Sequence, residues 1–287
     1  MKFTLLVLVL FCGQAWAKWS VSTFNIRNFD RDPREGKTNI VELTKIIQDV
    51  QSDVMAFEEV VNMEAFKSLV KNALPGYAYE ISSCGGFGEQ HLAIVYNPKT
   101  FSLVSKSEDL SLSGPGNKCG SLRPLFLVTL KNKTDNKDYT FGAVHLKAGG
   151  DGKAFAQRWE QYGRLEALAI KLAAKNVILL GDFNSTGYNI KNVDYEKFEQ
   201  FLGEASLRTV SENLGCTNYW NGDRGQKLFQ SSILDHVVLQ DKMFAQVEET
   251  RTASHCAKLE CREASVYDLG ITYEQVSDHC PVRVSFK

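Results

Sequence analysis

Six apolar runs in this chain are bounded by polar residues of the same few kinds, and that pattern limits how the chain can fold. Trp19 to Ile26 alternates apolar and polar positions and closes on Phe24-Asn25-Ile26. Val54-Met55-Ala56-Phe57 gives way to Glu58-Glu59, Val144 leads into His145, and Val177 to Leu180 leads into Gly181-Asp182-Phe183-Asn184. Ile233-Leu234 runs into Asp235-His236, and Ser277-Asp278-His279 precedes Val282 to Phe286. Short apolar runs of this kind read as buried strands. Strand ends along one edge of an α/β sheet are the usual place for a ligand site.

Helical spacing fills the intervals. Asn39 to Val50 puts Ile40, Leu43, Ile46, Ile47 and Val50 on one face, and Met63 to Leu74 is a second amphipathic stretch stopped by Pro75-Gly76. Phe155 to Ala174 and Asp194 to Leu202 are further helices. Additional strands are expected at Tyr77–Ile81, Leu92–Tyr96, Leu125–Leu130, Tyr139–Leu146 and Ile233–Leu239. Strands mixed with helices throughout imply an α/β chain of two packed sheets flanked by helices, in three or four layers. No Pro/Ser/Gly-rich linker divides residues 18–287, so one domain is expected there.

The first seventeen residues stand apart. Lys2, the apolar run Phe3 to Phe11 and the small-x-small ending Ala15-Trp16-Ala17 have the layout of a secretory signal peptide cleaved after Ala17. The run is shorter than the roughly 20 residues that span a bilayer. The expectation is a secreted or periplasmic protein with no membrane anchor. Of seven cysteines, Cys84, Cys119, Cys216, Cys256, Cys261 and Cys280 remain after cleavage, an even set suited to disulfides in an oxidising compartment. Loop closure favours Cys256 with Cys261, and the Gly-flanked positions favour Cys84 with Cys119. No CxxC pair or Cys/His cluster has zinc spacing.

The polar residues at the strand ends define a chemistry. Carboxylates with Asn and His, and no thiolate, suit a hard divalent cation bound through oxygen, Mg²⁺ or Mn²⁺. Two histidines beside carboxylates supply an acid and a base near neutral pH. Metal, water, base and phosphate together describe phosphodiester hydrolysis. Asn184-Ser185-Thr186 also fits a glycosylation sequon.

As an ordered set, these residues resemble the endonuclease/exonuclease/phosphatase superfamily, and in particular the secreted pancreatic-type deoxyribonucleases. The likeness spans nearly all of residues 19–286. Phe24-Asn25-Ile26, DVMAFEEV over 53–60, Glu89-Gln90-His91-Leu92, Arg123-Pro124, Val144-His145-Leu146, GDFN over 181–184, ILDHV over 233–237 and SDHCPV over 277–282 occur in that family's order. Glu58 stands where many members carry Gln. The resemblance implies a four-layer α/β/β/α sandwich. It implies a metal site at Glu59 with Asn25 and Asp278, and His279 oriented by Asp235 to activate water. It further implies His145 oriented by Glu89 to assist the leaving oxygen, with Asp182, Asn184 and Arg123 aligning water and phosphate. Which histidine gives a proton and which takes one stays open.

Substrate is less constrained by sequence. The chain carries 33 basic against 34 acidic residues, so it is not coated in positive charge. Lys147, Lys153, Arg158, Arg164, Lys171 and Lys175 follow His145 against only Asp151, Glu160 and Glu166, a candidate stripe for tracking phosphates. The loop from Cys84 to Gly88 has no basic residue to enter a DNA minor groove, although Phe87 could stack on a base. The reading is a secreted Mg²⁺-dependent nuclease acting on DNA as a monomer. RNA, sphingomyelin and other phosphodiesters are the alternatives.

Overall fold

The computed structural model describes residues 18–31, 37–221 and 227–287, so the expected signal peptide at 1–17 lies outside the described residues. One six-stranded sheet contains β1 (Trp19–Asn25), β2 (Val54–Val60), β3 (Ala78–Ile81), β4 (His91–Tyr96), β13 (Val247–Thr252) and β14 (Val282–Phe286). Its order is β13-β14-β1-β2-β4-β3. The other contains β5 (Phe101–Asp109), β6 (Leu125–Asn132), β7 (Asp138–His145), β8 (Asn176–Asp182), β9 (Leu207–Thr209) and β12 (Asp235–Gln240), in the order β5-β6-β7-β8-β12-β9. β10 (Asn218–Trp220) and β11 (Gln230–Ser232) make a short ribbon. Both large sheets are mixed: β1 runs parallel to β2 and β7 parallel to β8, with antiparallel neighbours elsewhere.

The alternation seen in sequence decides which face each residue takes. Val21, Val54, Ile94, Phe141, Ile178, Leu180, Val237 and Val284 meet between the sheets in one core. The opposite parity faces the helices. Phe24, Met55 and Phe57 pack under α1 (Ile40–Asp49) and α2 (Met63–Ala73). Val144, Leu179 and Phe183 pack under α3 (Gly152–Lys171) and α4 (Val193–Glu204). The result is the expected four-layer α/β/β/α sandwich. Asn39, Asn62, Asp151 and Asn192 cap these four helices by accepting first-turn backbone N–H groups. α5 (Asp241–Phe244), α6 (Ser254–Leu259) and α7 (Val266–Gln275), broken at Gly270, fill the last connections. Among the described residues no helix is long and apolar enough to cross a membrane.

Several expectations are corrected. β5 and β13 were not foreseen, because edge strands with one exposed face carry no apolar run. β12 begins at Asp235 and not at Ile233: the Leu234 and Asp235 N–H groups both donate to Thr217 Oγ1 at 3.0 Å instead of joining the ladder early. Cys84 does pair with Cys119, but Cys216 joins Cys261 and Cys256 joins Cys280. Cys256 lies inside α6, which ends at Leu259, and the left-handed Glu260 and Cys261, at φ 51° and 58°, turn the chain out of the helix between the two cysteines.

The supposed basic stripe is also interrupted. Arg158 is completely buried, with Nη2 donating to Asp194 Oδ2 at 2.7 Å and to Thr186 Oγ1 at 3.1 Å. Its Nη1 donates to the Gly149 carbonyl at 3.1 Å and also to that of Lys147. Arg164 pairs with Glu160. Arg158 therefore fastens two loops together and does not face solvent. Removing one partner of a buried pair leaves the other charge stranded, at a cost of about 3–5 kcal/mol. Arg158→Met is expected to lose that much in urea unfolding, and Arg158→Met/Asp194→Leu to recover most of it. A single-variant loss below about 1 kcal/mol would show the pair to be dispensable.

Candidate active site

The parity that fills the core also places the polar strand ends. In β8, Asp182 follows Ile178 and Leu180 on the inner face, and in β12 Asp235 shares a face with Val237 and Leu239. His145 follows Phe141 and Ala143 in β7, and Asn25 follows Val21 in β1. The ladder sets Asp182 opposite both His145 and Asp235. Asn25 then joins the two sheets: its Nδ2 donates to Asp182 Oδ2 at 3.1 Å and to Glu59 Oε1 at 3.2 Å.

Glu59 reaches this cluster by breaking parity. Strict alternation would put it with Met55 and Phe57 on the helix-covered face. A register shift between Phe57 and Val60, with φ of 62° at Glu59, turns it inward. Asn184, at φ 49°, is similarly strained, and such backbone strain concentrates where a site must aim side chains. The Asn28 N–H donates to Glu59 Oε2 at 2.7 Å.

Two imidazoles flank Asp182. His279 Nδ1 donates to Asp235 Oδ2 at 2.8 Å, leaving Nε2 3.8 Å from Asp182 Oδ2. His145 Nε2 is 3.4 Å from the same oxygen and 3.7 Å from Glu59 Oε1. Burial opposes the charge on His279, but Asp235 and Asp182 outweigh it and hold the ring well above the ordinary histidine value. Burial, then Arg123 and His279, push His145 well below. Asp182 is pushed up to about 7 by burial, which the His279 charge only partly offsets. The paired rings thus favour opposite charge states. Glu58, which accepts from Thr23 Oγ1 at 2.8 Å, is raised well above the carboxylate range by burial and then by Asp235. In its neutral form it matches the shape of the Gln that the family resemblance leads one to expect there.

Three expected roles change. Glu89 does not orient His145: its carboxylate, 69% exposed, lies 3.3 Å from His91 Nε2, on a turn residue at φ 51° that swings it outward. Among the described residues the buried His145 Nδ1 has no hydrogen-bond partner. Arg123 donates to backbone through Nε, to the His145 carbonyl at 2.9 Å, and through Nη2, to that of Leu146 at 2.5 Å, so two of its three nitrogens hold the end of β7. Asn25 turns its carbonyl to the Arg27 N–H at 3.0 Å and its amide N–H groups to the carboxylates, which makes it a brace between ligands. Asn184 is buried, with Nδ2 donating to the Leu146 carbonyl at 3.2 Å, so the sequon is not a surface acceptor.

Asp278 lines the same cleft, a cavity of 530 Å³ with Glu59, Asp182, His145 and His279. Ser277, whose role sequence did not suggest, ties this closing segment to β1: its Oγ donates to the Asn25 carbonyl at 2.7 Å and accepts the His279 N–H at 3.0 Å. Phe155, Ile190 and Trp220 form an apolar side of the cleft that the polar motifs gave no sign of. Ligand atoms of Asp182, Asp235 and His279 gather within 4.8 Å. The Glu59, Asp182 and Asp278 carboxylates give the cleft a set of oxygen donors that suits a hard divalent cation. A second cluster, His255 with Cys256 and Cys280, is no metal site, because both sulfurs are in one disulfide.

This fold and site define a class. The sequence profile of the Endonuclease/Exonuclease/phosphatase family matches residues 22–279. An endonuclease/exonuclease/phosphatase protein of Bacteroides vulgatus shares the fold at TM-score 0.67 and 14% identity, over 94% of this chain and 99% of that one. A mannosyl-6-phosphatase of Bacteroides thetaiotaomicron gives 0.64 at 20% identity, covering 93% and 98% of the two chains. The human Nocturnin catalytic domain with bound sulfate gives 0.64 at 16% identity, covering 94% of each. No curated protein sequence matches the chain. The chain belongs to the endonuclease/exonuclease/phosphatase family, whose members are metal-dependent phosphoesterase hydrolases.

Beneath the cleft, His236 is fully buried between Ser185 Oγ at 2.7 Å and Thr209 Oγ1 at 2.9 Å. Burial lowers it to about 3, and His255 to about 4. Because these folded-state values lie below the unfolded one, the unfolded chain binds protons first and stability falls as pH drops from 6.5 towards 3. His236→Gln cannot take up that proton. Between pH 7 and 4.5 its unfolding free energy is expected to fall by about 2–3 kcal/mol less than the parent's, as measured by urea titration at both pH values. An equal fall would remove His236 from the acid response.

Proposed function

We propose that the chain is an exported, Mg²⁺-dependent nuclease that hydrolyses phosphodiester bonds of DNA. The observation that carries this is the convergence of the Asp235–His279 pair and His145 on opposite sides of Asp182, inside a carboxylate-floored cleft. The three disulfides and the leader-like residues 1–17 support export. The aromatic side of the cleft, with Trp220 and Phe155, supports a substrate bearing flat rings beside its phosphate.

Glu59, Asp182 and Asp278 are the residues to hold the cation, with Asn25 bracing two of them. When bound, the cation supplies charge stabilisation on a phosphate oxygen. Asp235 fixes the His279 tautomer so that Nε2 faces the cleft. Water adds to phosphorus, the ester P–O bond breaks, and one proton leaves the water while another reaches the departing oxygen. The neutral His145 Nε2 takes the first, and the charged His279 Nε2 delivers the second. Arg123 keeps His145 in place through the β7 backbone. Asn184 fixes Asp182 by donating its N–H to Oδ1 at 2.8 Å.

Purified residues 18–287 should nick plasmid DNA with Mg²⁺ and fail with EDTA. His279→Ala and Asp278→Ala should each lose about a thousandfold or more in rate while keeping the parent's circular dichroism. Turnover within tenfold of the parent would overturn the site assignment. Turnover of sphingomyelin or a sugar phosphate without DNA cleavage would overturn the nuclease reading. In the producing cell, protein recovered outside the cytoplasm should begin at Lys18. An intact Met1 terminus would overturn the export reading.

A further inference from the structure

A second cavity, of 540 Å³, adjoins the catalytic one, and Trp220 and Asp278 line both. Its size falls within the roughly 300–1,000 Å³ of small-molecule pockets. Trp220 is held firmly against the catalytic segment by its own strand. The Tyr219 N–H donates to the Asp278 carbonyl at 3.0 Å, and the Cys280 N–H donates to that of Thr217 at 2.7 Å. Asn218 also bridges to His279. Yet the Trp220 ring is 50% exposed, and among the described residues it has no aromatic contact and its indole N–H has no acceptor. A half-exposed aromatic residue is thus fixed in place between the catalytic cleft and the second cavity.

The rest of the cavity selects what could lie against that residue. Phe229 and Tyr273, edge to face at 5.2 Å, supply further aromatic surface. Arg27 Nη1 and Nη2 donate to the Tyr273 and Glu274 carbonyls at 2.9 and 2.6 Å, so these donors point into the chain. Glu274 and Asp278 line the cavity as carboxylates. Two carboxylates against one guanidinium, whose Nη groups are held by backbone carbonyls, disfavour a second phosphate and favour an uncharged ring carrying N–H groups on its edge.

We infer that this second cavity is a nucleobase subsite for the residue flanking the scissile phosphate, so that the enzyme takes single-stranded nucleic acid in preference to intact duplex. The inference rests on the nuclease reading and refines its substrate. A base in a duplex is stacked and paired, and must leave the stack before it can enter a walled cavity. A free strand offers its bases without that cost, and stacking on an aromatic ring is tolerant of sequence. The interior position of Arg158 and the uncharged loop from Cys84 to Gly88 agree with this, since neither grips a duplex backbone.

The test compares one labelled DNA sequence as single strand and as duplex, with Mg²⁺, for the parent, Trp220→Ala and Trp220→Phe. The parent should favour the single strand by about tenfold or more in kcat/KM. Trp220→Ala should lose about ten- to a hundredfold on the single strand, chiefly in KM, while Trp220→Phe keeps most of the activity. A strand carrying 2-aminopurine beside the cleavage position should change fluorescence on binding to His279→Ala but not to His279→Ala/Trp220→Ala. Equal cleavage of both forms, with Trp220→Ala matching the parent, would overturn the subsite and leave the nuclease reading intact. Failure to cleave any nucleic acid would overturn both.

Discussion

Strand parity is the constraint on which the remainder of this molecule depends. A strand presents alternate residues to opposite faces, so once Ile178 and Leu180 are committed to the space between the sheets, Asp182 is committed to the mouth of that space. The same holds for Val237 and Asp235, for Ala143 and His145, and for Val21 and Asn25. A slip of one residue in any of these strands would expose its core residues and withdraw its site residue together. The fold and these four site residues are thus specified by one register, whereas Glu59 enters through a register shift and Asp278 and His279 through an irregular segment.

That arrangement gathers charge where water is scarce, and the structure shows how the cost is contained. Asp182, Asp235, Glu58 and Glu59 lie close together, and burial raises the proton affinity of Asp182 and Glu58. His279 offsets part of this charge, and Asn25 supplies N–H groups to two of the carboxylates. The closing segment that carries Asp278 and His279 has little regular structure of its own. It is held by Ser277 to β1, by β10 through backbone bonds, and by the Cys256–Cys280 disulfide to α6. Three independent anchors on so short a segment fit the need to hold an imidazole within hydrogen-bond reach of Asp235.

Most of the interior was legible from sequence, because buried strands and amphipathic helices leave periodic signatures. The two helix-flanked sheets, and the strand ends that meet at the site, follow from those signatures, while the number of layers, three or four by pattern alone, was set at four by the family resemblance. What escaped has a common physical character. β5 and β13 are stabilised by backbone pairing at sheet edges, which requires no apolar pattern. The roles of Glu89 and Arg123 depend on where a turn swings one carboxylate and which carbonyls a guanidinium finds first, and neither is encoded in spacing. Arg158 reads as a surface cation in a one-dimensional charge count, but its partner Asp194 lies 36 residues away. The aromatic side of the cleft comes from loops whose residues carry no catalytic signature.

Arg158 also alters what the charge balance means. With the centre of the apparent basic stripe turned inward, the chain has less to release counterions from a nucleic-acid backbone than its sequence implies. Attraction to a polyanion must then come from a small part of the surface. The cleft itself is lined by Glu59, Asp182 and Asp278, and on the proposed function a phosphate would meet them only with a cation offsetting their charge. On the reading advanced above, ring stacking on Trp220 supplies the affinity that long-range charge does not. Such a division makes recognition local, fixed by the strands that hold Asp278 and Trp220, and places substrate choice and chemistry on two sides of the same short segment.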